Sequence, residues 1–216
     1  MGRRPRSKEE IDSIKNKILE CALTMIVDHG YEEFSIRKLG PQLGIAPKTV
    51  YNYFKNKDEI YLHVLTRGFE ILYQELYTSA AHLEAPFDKL SALARAYVRF
   101  GKEKPNYYDI MLTRYIPKYN EFVGKPQESI ALQELQAALK PFDFLVQVME
   151  EILAIRGVDH TRDAHTDAAQ LMVTLHGMVS LKNNSILGYI SGDPDKLVDT
   201  MLKNIIAPFN PGVSQS

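Results

Sequence analysis

Four polar side chains have the types and spacing of a surface that meets a nucleic-acid groove: Lys48, Thr49, Asn52 and Tyr53. On one short helix they would share the exposed face. They combine donors for phosphate oxygens with side chains that reach base edges, and a DNA major groove admits such a helix. This face is therefore a candidate DNA-reading surface, on which we expect Tyr53 to carry sequence preference.

Further polar residues extend this candidate surface on both sides. Lys57 follows one turn later, where its ammonium could meet the DNA backbone beside the groove. Ser35 and Arg37 could reach phosphates from the start of the preceding helix, and Tyr51 belongs to the same candidate set. The predicted DNA contacts therefore run from Ser35 to Lys57.

Two short amphipathic helices are predicted to position these side chains. The apolar residues spaced for one face are Ile36, Leu39 and Leu43 in the first helix, and Val50 and Phe54 in the second. Such a pair is a helix-turn-helix, although a helical hairpin with a solvated polar face has the same pattern.

The turn between the two helices has the residues that a tight reversal requires. Gly44 tolerates a positive φ, and Ile45 can place its side chain in the angle between the helices. Gly40 permits close crossing, and Pro47 fits the first turn of the second helix. Pro41 lies inside the first helix and removes a backbone hydrogen bond, so we expect that helix to be kinked or shortened.

The surrounding sequence resembles the TetR family of one-component transcriptional regulators from Lys17 to about Leu65. The matching residues are KILECALTMIVDHGYEEFSIRKLGPQLGIAPKTVYNYFKNKDEIYLHVL. They include a helix that ends in Gly-Tyr, a Ser that opens the next helix, a Gly turn, and the run Y-x-Y-F before a Lys and acidic residues. The family usually has Ala at the position of Gly40 and Ser at that of Ala46.

Two segments of the C-terminal part resemble one subgroup of this family. They are YVRFGKEKPNYYDIML at 97–112, with an aromatic residue before E-x-P-x-Y, and LMVTLHGMVSL at 171–181, with a His-Gly pair. Leu175 replaces the tryptophan that usually precedes this pair, and the chain contains no Trp.

The resemblance implies a homodimer in which the last two helices of each subunit form a four-helix bundle, bound to a pseudo-palindromic double-stranded DNA operator. The apolar faces compatible with this bundle comprise Ala168, Leu171, Met172, Leu175, Val179 and Ile186, followed by Leu197, Met201, Leu202 and Ile205. Both faces could instead pack within one subunit.

Charge is distributed unevenly along the 216 residues. Residues 1–57 contain 11 Lys and Arg against 7 Asp and Glu, whereas residues 58–216 contain 15 against 20. Attraction to phosphates is therefore expected at the N-terminal end. The arm contributes Arg3, Arg4 and Arg6, which could reach DNA or form a solvated terminus.

The composition and the arrangement of polar residues argue against a membrane or secreted protein, a metal or cofactor protein, and an enzyme. No apolar run is long enough to span a membrane and no signal-peptide core is present, so a cytoplasmic protein is expected. The single cysteine, Cys21, is expected to be a reduced core thiol. The six histidines are scattered without an H-x-x-x-H pair, so neither a metal, a cofactor nor an enzyme is expected.

The whole chain is predicted to be all-α, with a three-helix head in residues 1–57 and a helical effector-binding and dimerisation domain in residues 58–216. Capping boxes are expected at Ser7 with Glu10 and at Asn56 with Glu59. A long helix from Lys57 to about residue 82 joins the two parts, and further helices are predicted at 87–102, 106–114, 129–156, 162–189 and 194–206. Pro141 is expected to interrupt the predicted helix at 129–156.

The C-terminal part contains residues that could surround a small hydrophobic effector. The candidates are Phe69, Tyr73, Tyr108, Met111, Met149, His176 and Asn183. The same side chains could be ordinary core. We therefore expect a repressor that an unknown small molecule releases from DNA. The alternatives are a non-inducible or architectural DNA-binding protein, and a helical enzyme or carrier.

Overall fold

The computed structural model describes residues 6–114, 117–156 and 163–210. Its α-helices are α1 Lys8–His29, α2 Ile36–Gln42, α3 Pro47–Val50, α4 Lys57–Ala80, α5 Pro86–Glu103, α6 Pro105–Tyr108, α7 Glu128–Arg156, α8 Ala164–Asn183, α9 Leu187–Ile190 and α10 Pro194–Ile206. No residue in the described ranges lies in a β-strand, which confirms the all-α prediction. None of the described helices combines the length and apolar character needed to cross a membrane.

The helix starts follow the predicted capping signals. At α1, Glu10 N donates to Ser7 Oγ at 3.2 Å and Ser7 N donates to Glu10 Oε2 at 2.8 Å, which confirms the capping box. At α4, Glu59 N donates to Asn56 Oδ1 at 2.9 Å, but the Glu59 carboxylate accepts from Lys55 N instead of Asn56 N. Asn56 therefore caps the first turn of α4, but the predicted capping box is wrong in its second hydrogen bond.

The chain forms two compact units that both draw on separate stretches of sequence. The N-terminal unit contains the residues up to Gly68 together with Asp109–Gln136. The C-terminal unit contains Phe69–Tyr108 and the residues from Ala137 onward. The sequence predicts a boundary after residue 57, between the DNA-binding head and the effector-binding and dimerisation domain. This division by function stays a prediction.

The core of the N-terminal unit includes one face of α1, where Ala22 and Ile26 are fully buried. Residues from the later stretch take part in this unit as well. Arg114 Nη1 donates to the Ile26 carbonyl at 3.1 Å, and its Nε bonds Asp109 Oδ2 at 2.6 Å. Phe122 is only 3% exposed. The stretch 109–136 is thus an integral part of the N-terminal unit.

The C-terminal unit is built around α5, which packs against α6, α8 and α10. The closest approach is at Gly101, where an added Cβ would lie 2.2 Å from Val179 Cγ1. Asn183 Nδ2 donates to the Gly101 carbonyl at 3.0 Å. A side chain at position 101 would therefore force either Val179 or the spacing of α5 and α8 to shift.

Three of the helices predicted after α5 differ from the observed ones. The helix expected at 106–114 is α6 followed by a π-helical turn, Asp109–Thr113. The helix expected at 162–189 is divided into α8 and α9, since Ser185 between them has a φ of 61°. By contrast, α7 continues through Pro141, because a proline removes one hydrogen bond without preventing the flanking turns from keeping theirs.

Candidate DNA-binding and effector sites

The corner between α2 and α3 has the geometry of a helix-turn-helix. Gly44 has a φ of 66°, as its place in the turn requires. Gly44 N donates to the Pro41 carbonyl and Ile45 N to the Gly40 carbonyl, both at 3.0 Å. These bonds close the turn directly after α2.

Gly40 sets the distance between α2 and the start of α3. A Cβ at this position would lie 2.9 Å from the Ile45 carbonyl oxygen and 2.9 Å from Pro47 N. Both are backbone atoms, which no rotamer change can move. The predicted role of Gly40 in close crossing is confirmed. Pro41 lies in the last turn of α2, which ends at Gln42 after seven residues.

The second helix of the corner is shorter than predicted, because α3 ends at Val50. The chain then continues in turns: Asn52 N donates to the Thr49 carbonyl at 3.2 Å and Tyr53 N to the Val50 carbonyl at 2.9 Å. Val50 and Phe54 are buried and fix this segment to the core. A single helical turn plus tight turns, rather than one long helix, therefore presents the candidate residues.

The structure brings most of the predicted DNA contacts to the surface of this segment. Lys48, Tyr51 and Asn52 are exposed, and Thr49 and Tyr53 are half-buried. Tyr51 is 54% exposed, so its ring and hydroxyl are accessible at this surface. All five side chains retain polar groups that could bind DNA, and their individual contacts stay predictions.

The two predicted contacts from α2 have different environments. Ser35 is the N-cap of α2, and its Oγ accepts from Lys38 N at 3.3 Å. Its hydroxyl proton stays available for another acceptor. Arg37 is exposed on the first turn of α2. Neither position conflicts with a phosphate contact.

Lys57 has partners within the chain. Its Nζ donates to the Tyr31 carbonyl at 3.4 Å and lies 4.4 Å from the centre of the Tyr31 ring. The Tyr31 hydroxyl donates to Asp58, and burial followed by this hydrogen bond raises the Tyr31 pKa far above its usual value. Lys57 therefore helps to fix the start of α4, and its contact with DNA stays a prediction.

Two of the predicted effector residues, the buried Tyr108 and the half-buried His176, form a polar pair in the C-terminal unit. Tyr108 Oη lies 2.6 Å from His176 Nδ1, and the two rings stack with centroids 5.6 Å apart. Burial raises the pKa of Tyr108 well above that of an exposed tyrosine, so the hydroxyl stays protonated. The pair offers one fixed hydrogen-bonding point in apolar surroundings.

Tyr97 is a further member of this cluster that was absent from the predicted set. Its ring meets that of Tyr108 edge-to-face, with centroids 6.0 Å apart, and burial raises its pKa to about 12. A sequence signal existed, because Tyr97 is the aromatic residue that begins the 97–112 motif. The cluster of Tyr97, Tyr108 and His176 is called the tyrosine-histidine cluster below.

The remaining effector candidates have varied positions. Tyr73 packs edge-to-face on Phe144, with centroids 6.2 Å apart, while Phe69 and Met149 are buried. Asn183 is exposed and bonds the Gly101 carbonyl, which gives it a structural contact. Met111 belongs to the N-terminal unit, unlike the other six candidates. The structure therefore does not group all seven around one point.

A surface cleft of about 310 Å³ lies among α5, α8 and α10. Its charged lining residues are Arg95, Arg99, Lys102, Glu103, Lys182, Asp195 and Asp199. None of the seven effector candidates lines this cleft. Within the described residues no group of three or more His, Cys, Asp or Glu side chains could hold a metal ion. Cys21 is half-buried, and burial raises the pKa of its thiol.

Two family models match the chain. Residues 18–64 match the model of bacterial regulatory proteins, tetR family, and residues 90–205 match that of the tetracyclin repressor-like C-terminal domain. An uncharacterized HTH-type transcriptional regulator, YobS of Bacillus subtilis, is 27% identical over 107 residues, which are 50% of this chain and 56% of that protein. The chain thus spans about half the length of this curated relative.

Solved structures of low sequence identity share the fold. The fatty acid degradation regulator FadR from Bacillus halodurans has a TM-score of 0.67 and 15% identity, over 94% of this chain and 97% of that one. FadR from Bacillus subtilis in complex with stearoyl-CoA has a TM-score of 0.68 and 15% identity, over 89% and 97%. The C-terminal model alone covers more than half of the sequence, and the chain therefore belongs to the tetR family of bacterial regulatory proteins.

Proposed function

We propose that the protein is a cytoplasmic, homodimeric transcriptional repressor that a small hydrophobic molecule releases from a pseudo-palindromic operator. The observation that carries this proposal is the α2–α3 corner, with its closely crossed backbones and exposed polar segment from Lys48 to Tyr53. Both family models describe regulators and not enzymes.

Selection of bound sequences from random duplex DNA tests the DNA-binding part. A dimer with two-fold symmetry is expected to enrich an inverted repeat whose half-sites lie about one helical turn, roughly 10 base pairs, apart. Enrichment of no sequence would contradict the proposal.

Lys48 is expected to act as a phosphate contact, because its ammonium is exposed at the start of α3. Lys48→Ala should weaken binding to the operator and to scrambled DNA by the same factor. It should also lower the slope of log Kd against log salt by about one, since one fewer counterion is released. Fluorescence anisotropy between low and high salt measures both quantities.

Lys140→Ala is the matched control for this measurement, because Lys140 is an exposed lysine on α7 in the C-terminal unit. It should leave the salt slope unchanged. A Lys48→Ala variant that keeps the wild-type slope would exclude Lys48 from the DNA backbone.

An effector site around the tyrosine-histidine cluster is supported by its chemistry. Apolar surroundings with a single fixed polar pair suit a mainly hydrophobic molecule that has one polar group. A structurally similar regulator was solved in complex with stearoyl-CoA. Long-chain acyl-CoA and free fatty acid are therefore the first compounds to test, with coenzyme A as the control for the nucleotide part.

We expect stearoyl-CoA or stearate to weaken operator binding at least tenfold, and Tyr108→Phe to reduce this response while operator affinity without the compound is kept. Weaker operator binding requires that the compound bind the DNA-free conformation of the protein more tightly than the DNA-bound one. Unchanged operator affinity with acyl-CoA and fatty acid, together with tight operator binding, would favour a non-inducible regulator.

The proposed dimer is supported by the division of apolar residues along α8 to α10. Ala168, Leu171, Leu175, Val179 and Leu202 are buried within the subunit, so they are not available to a partner. The exposed apolar side chains in this region are Val173, Leu181, Ile186, Tyr189 and Ile190. Tyr189 is 91% exposed, so its whole ring is accessible to a partner. Sedimentation equilibrium measures the mass in solution, and the proposed homodimer should have twice the mass of one subunit.

A further inference from the structure

Arg6 and Tyr53 form a pair at the surface of the N-terminal unit. Arg6 Nη1 donates to Tyr53 Oη, and the guanidinium carbon lies 6.0 Å from the centre of the Tyr53 ring. The two residues are 47 positions apart in sequence. The pair therefore joins the N-terminal arm to the polar segment that follows α3.

The backbone on both sides of this pair is fixed. Arg6 directly precedes Ser7, whose amide and hydroxyl are both engaged in the capping box of α1. Tyr53 N is bonded to the Val50 carbonyl, and the next residue, Phe54, is 3% exposed. The pair therefore projects from anchored backbone at Ser7 and at Tyr53, beside the candidate DNA contacts.

The donors of this pair are not used up within the chain. The Tyr53 oxygen accepts from Arg6, which leaves the phenol O–H free to donate, and the guanidinium keeps its other N–H groups. Accepting a bond from a cation also polarises the phenol and makes its O–H a stronger donor. Among the ion pairs of the described residues none includes Arg6, and the nearby Glu10 carboxylate is bound to Ser7 N.

Two adjacent donors, one of them cationic, suit an anion with two acceptor oxygens. Resting on the proposed function, we propose that Arg6 and Tyr53 together bind one phosphate of the operator backbone. The guanidinium donates to one phosphate oxygen and the Tyr53 O–H to the other. Tyr53 is then a backbone contact, whereas its sequence position suggested a base contact. Arg6 is a DNA contact that Tyr53 holds in place.

A double-mutant cycle on operator affinity tests this pair, with Arg6→Gln, Tyr53→Phe and the double variant. Arg6→Gln should weaken operator binding about tenfold and lower the salt slope by about one. Tyr53→Phe should weaken binding about threefold, since it removes one hydroxyl and keeps the ring. The double variant should lose less affinity than the product of the two single losses, because without Arg6 the phenol is no longer polarised and the Tyr53 donor to the shared phosphate is weaker.

Specificity and charge controls complete the design. Each variant should weaken binding to the selected operator and to scrambled duplex by the same factor, since a phosphate carries no sequence information. Arg95→Gln removes an exposed arginine of the C-terminal unit and should leave both affinity and slope unchanged. Thermal unfolding followed by circular dichroism verifies that all variants are folded.

The opposing results are distinct. Losses that multiply in the double variant, an unchanged salt slope in Arg6→Gln, or reduced discrimination in Tyr53→Phe would each overturn the shared phosphate contact. A wild-type protein that selects no DNA sequence would overturn the proposed function itself, before any variant is compared.

Discussion

Gly40→Val is expected to weaken operator binding at least about tenfold while the C-terminal unit stays folded. The added Cβ would lie 2.9 Å from both the Ile45 carbonyl oxygen and Pro47 N, and 3.1 Å from Pro47 Cα. Because all three are backbone atoms, relief requires α3 to move away from α2. Overpacking of this kind costs about 1–3 kcal/mol, and the displaced segment no longer presents Lys48 to Tyr53 in the same register.

The measurement is operator affinity by anisotropy together with thermal unfolding. We expect at least about a tenfold loss of affinity for Gly40→Val and a smaller loss for Gly40→Ala, since the smaller side chain needs a smaller shift. Gly44→Asn is the control variant, because it adds a side chain to the same turn at a position where space is available. An added Cβ at Gly44 meets no atom within 4 Å, and asparagine tolerates its positive φ, so unfolding should change little. Wild-type affinity in Gly40→Val would show that the α2–α3 spacing adjusts freely.

Gly101→Ala is expected to destabilise the C-terminal unit by about 1–3 kcal/mol, because its Cβ would overlap Val179 Cγ1 at 2.2 Å. Val179 is buried, so its side chain has little room to turn away. The cost should be partly recovered in the double variant with Val179→Ala, which removes the overlapping methyl groups. Val179→Ala alone should be destabilising, as expected for the loss of buried methyl groups.

Urea unfolding of the four proteins gives the coupling free energy between the two positions. We expect a favourable coupling of about 0.5–3 kcal/mol, the range found for residues in direct contact. Gly192→Ala is the control, since a Cβ there meets no atom within 4 Å. Additive effects of the two substitutions would mean that α5 and α8 separate without involving Val179.

Much of the fold was predictable because local signals and tertiary packing agree. The capping residues Ser7 and Glu10 locate the start of α1, and α10 has the predicted bounds of 194 and 206. Gly40 and Gly44 were identifiable from the turn that they must form. At these positions the backbone conformation or the spacing leaves few residues that fit.

The parts that were not predictable depend on contacts between distant stretches of chain. No local pattern shows that residues 109–136 join the N-terminal unit, or that Lys57 binds the Tyr31 carbonyl. The helical period at 47–54 is satisfied equally by one helix and by α3 followed by tight turns. Likewise, the apolar stripe of α8 could not be divided between core and interface, since burial of Leu171 depends on where α5 lies.

The discontinuous N-terminal unit has a consequence for protein engineering. A DNA-binding segment that ends at Gly68 and is grafted onto a foreign sensor would omit Arg114 and Phe122, which belong to the same unit. The Ile26 carbonyl would then lose the hydrogen bond that Arg114 donates to it. A transferable module must therefore carry residues 109–136 as well, in two pieces of sequence.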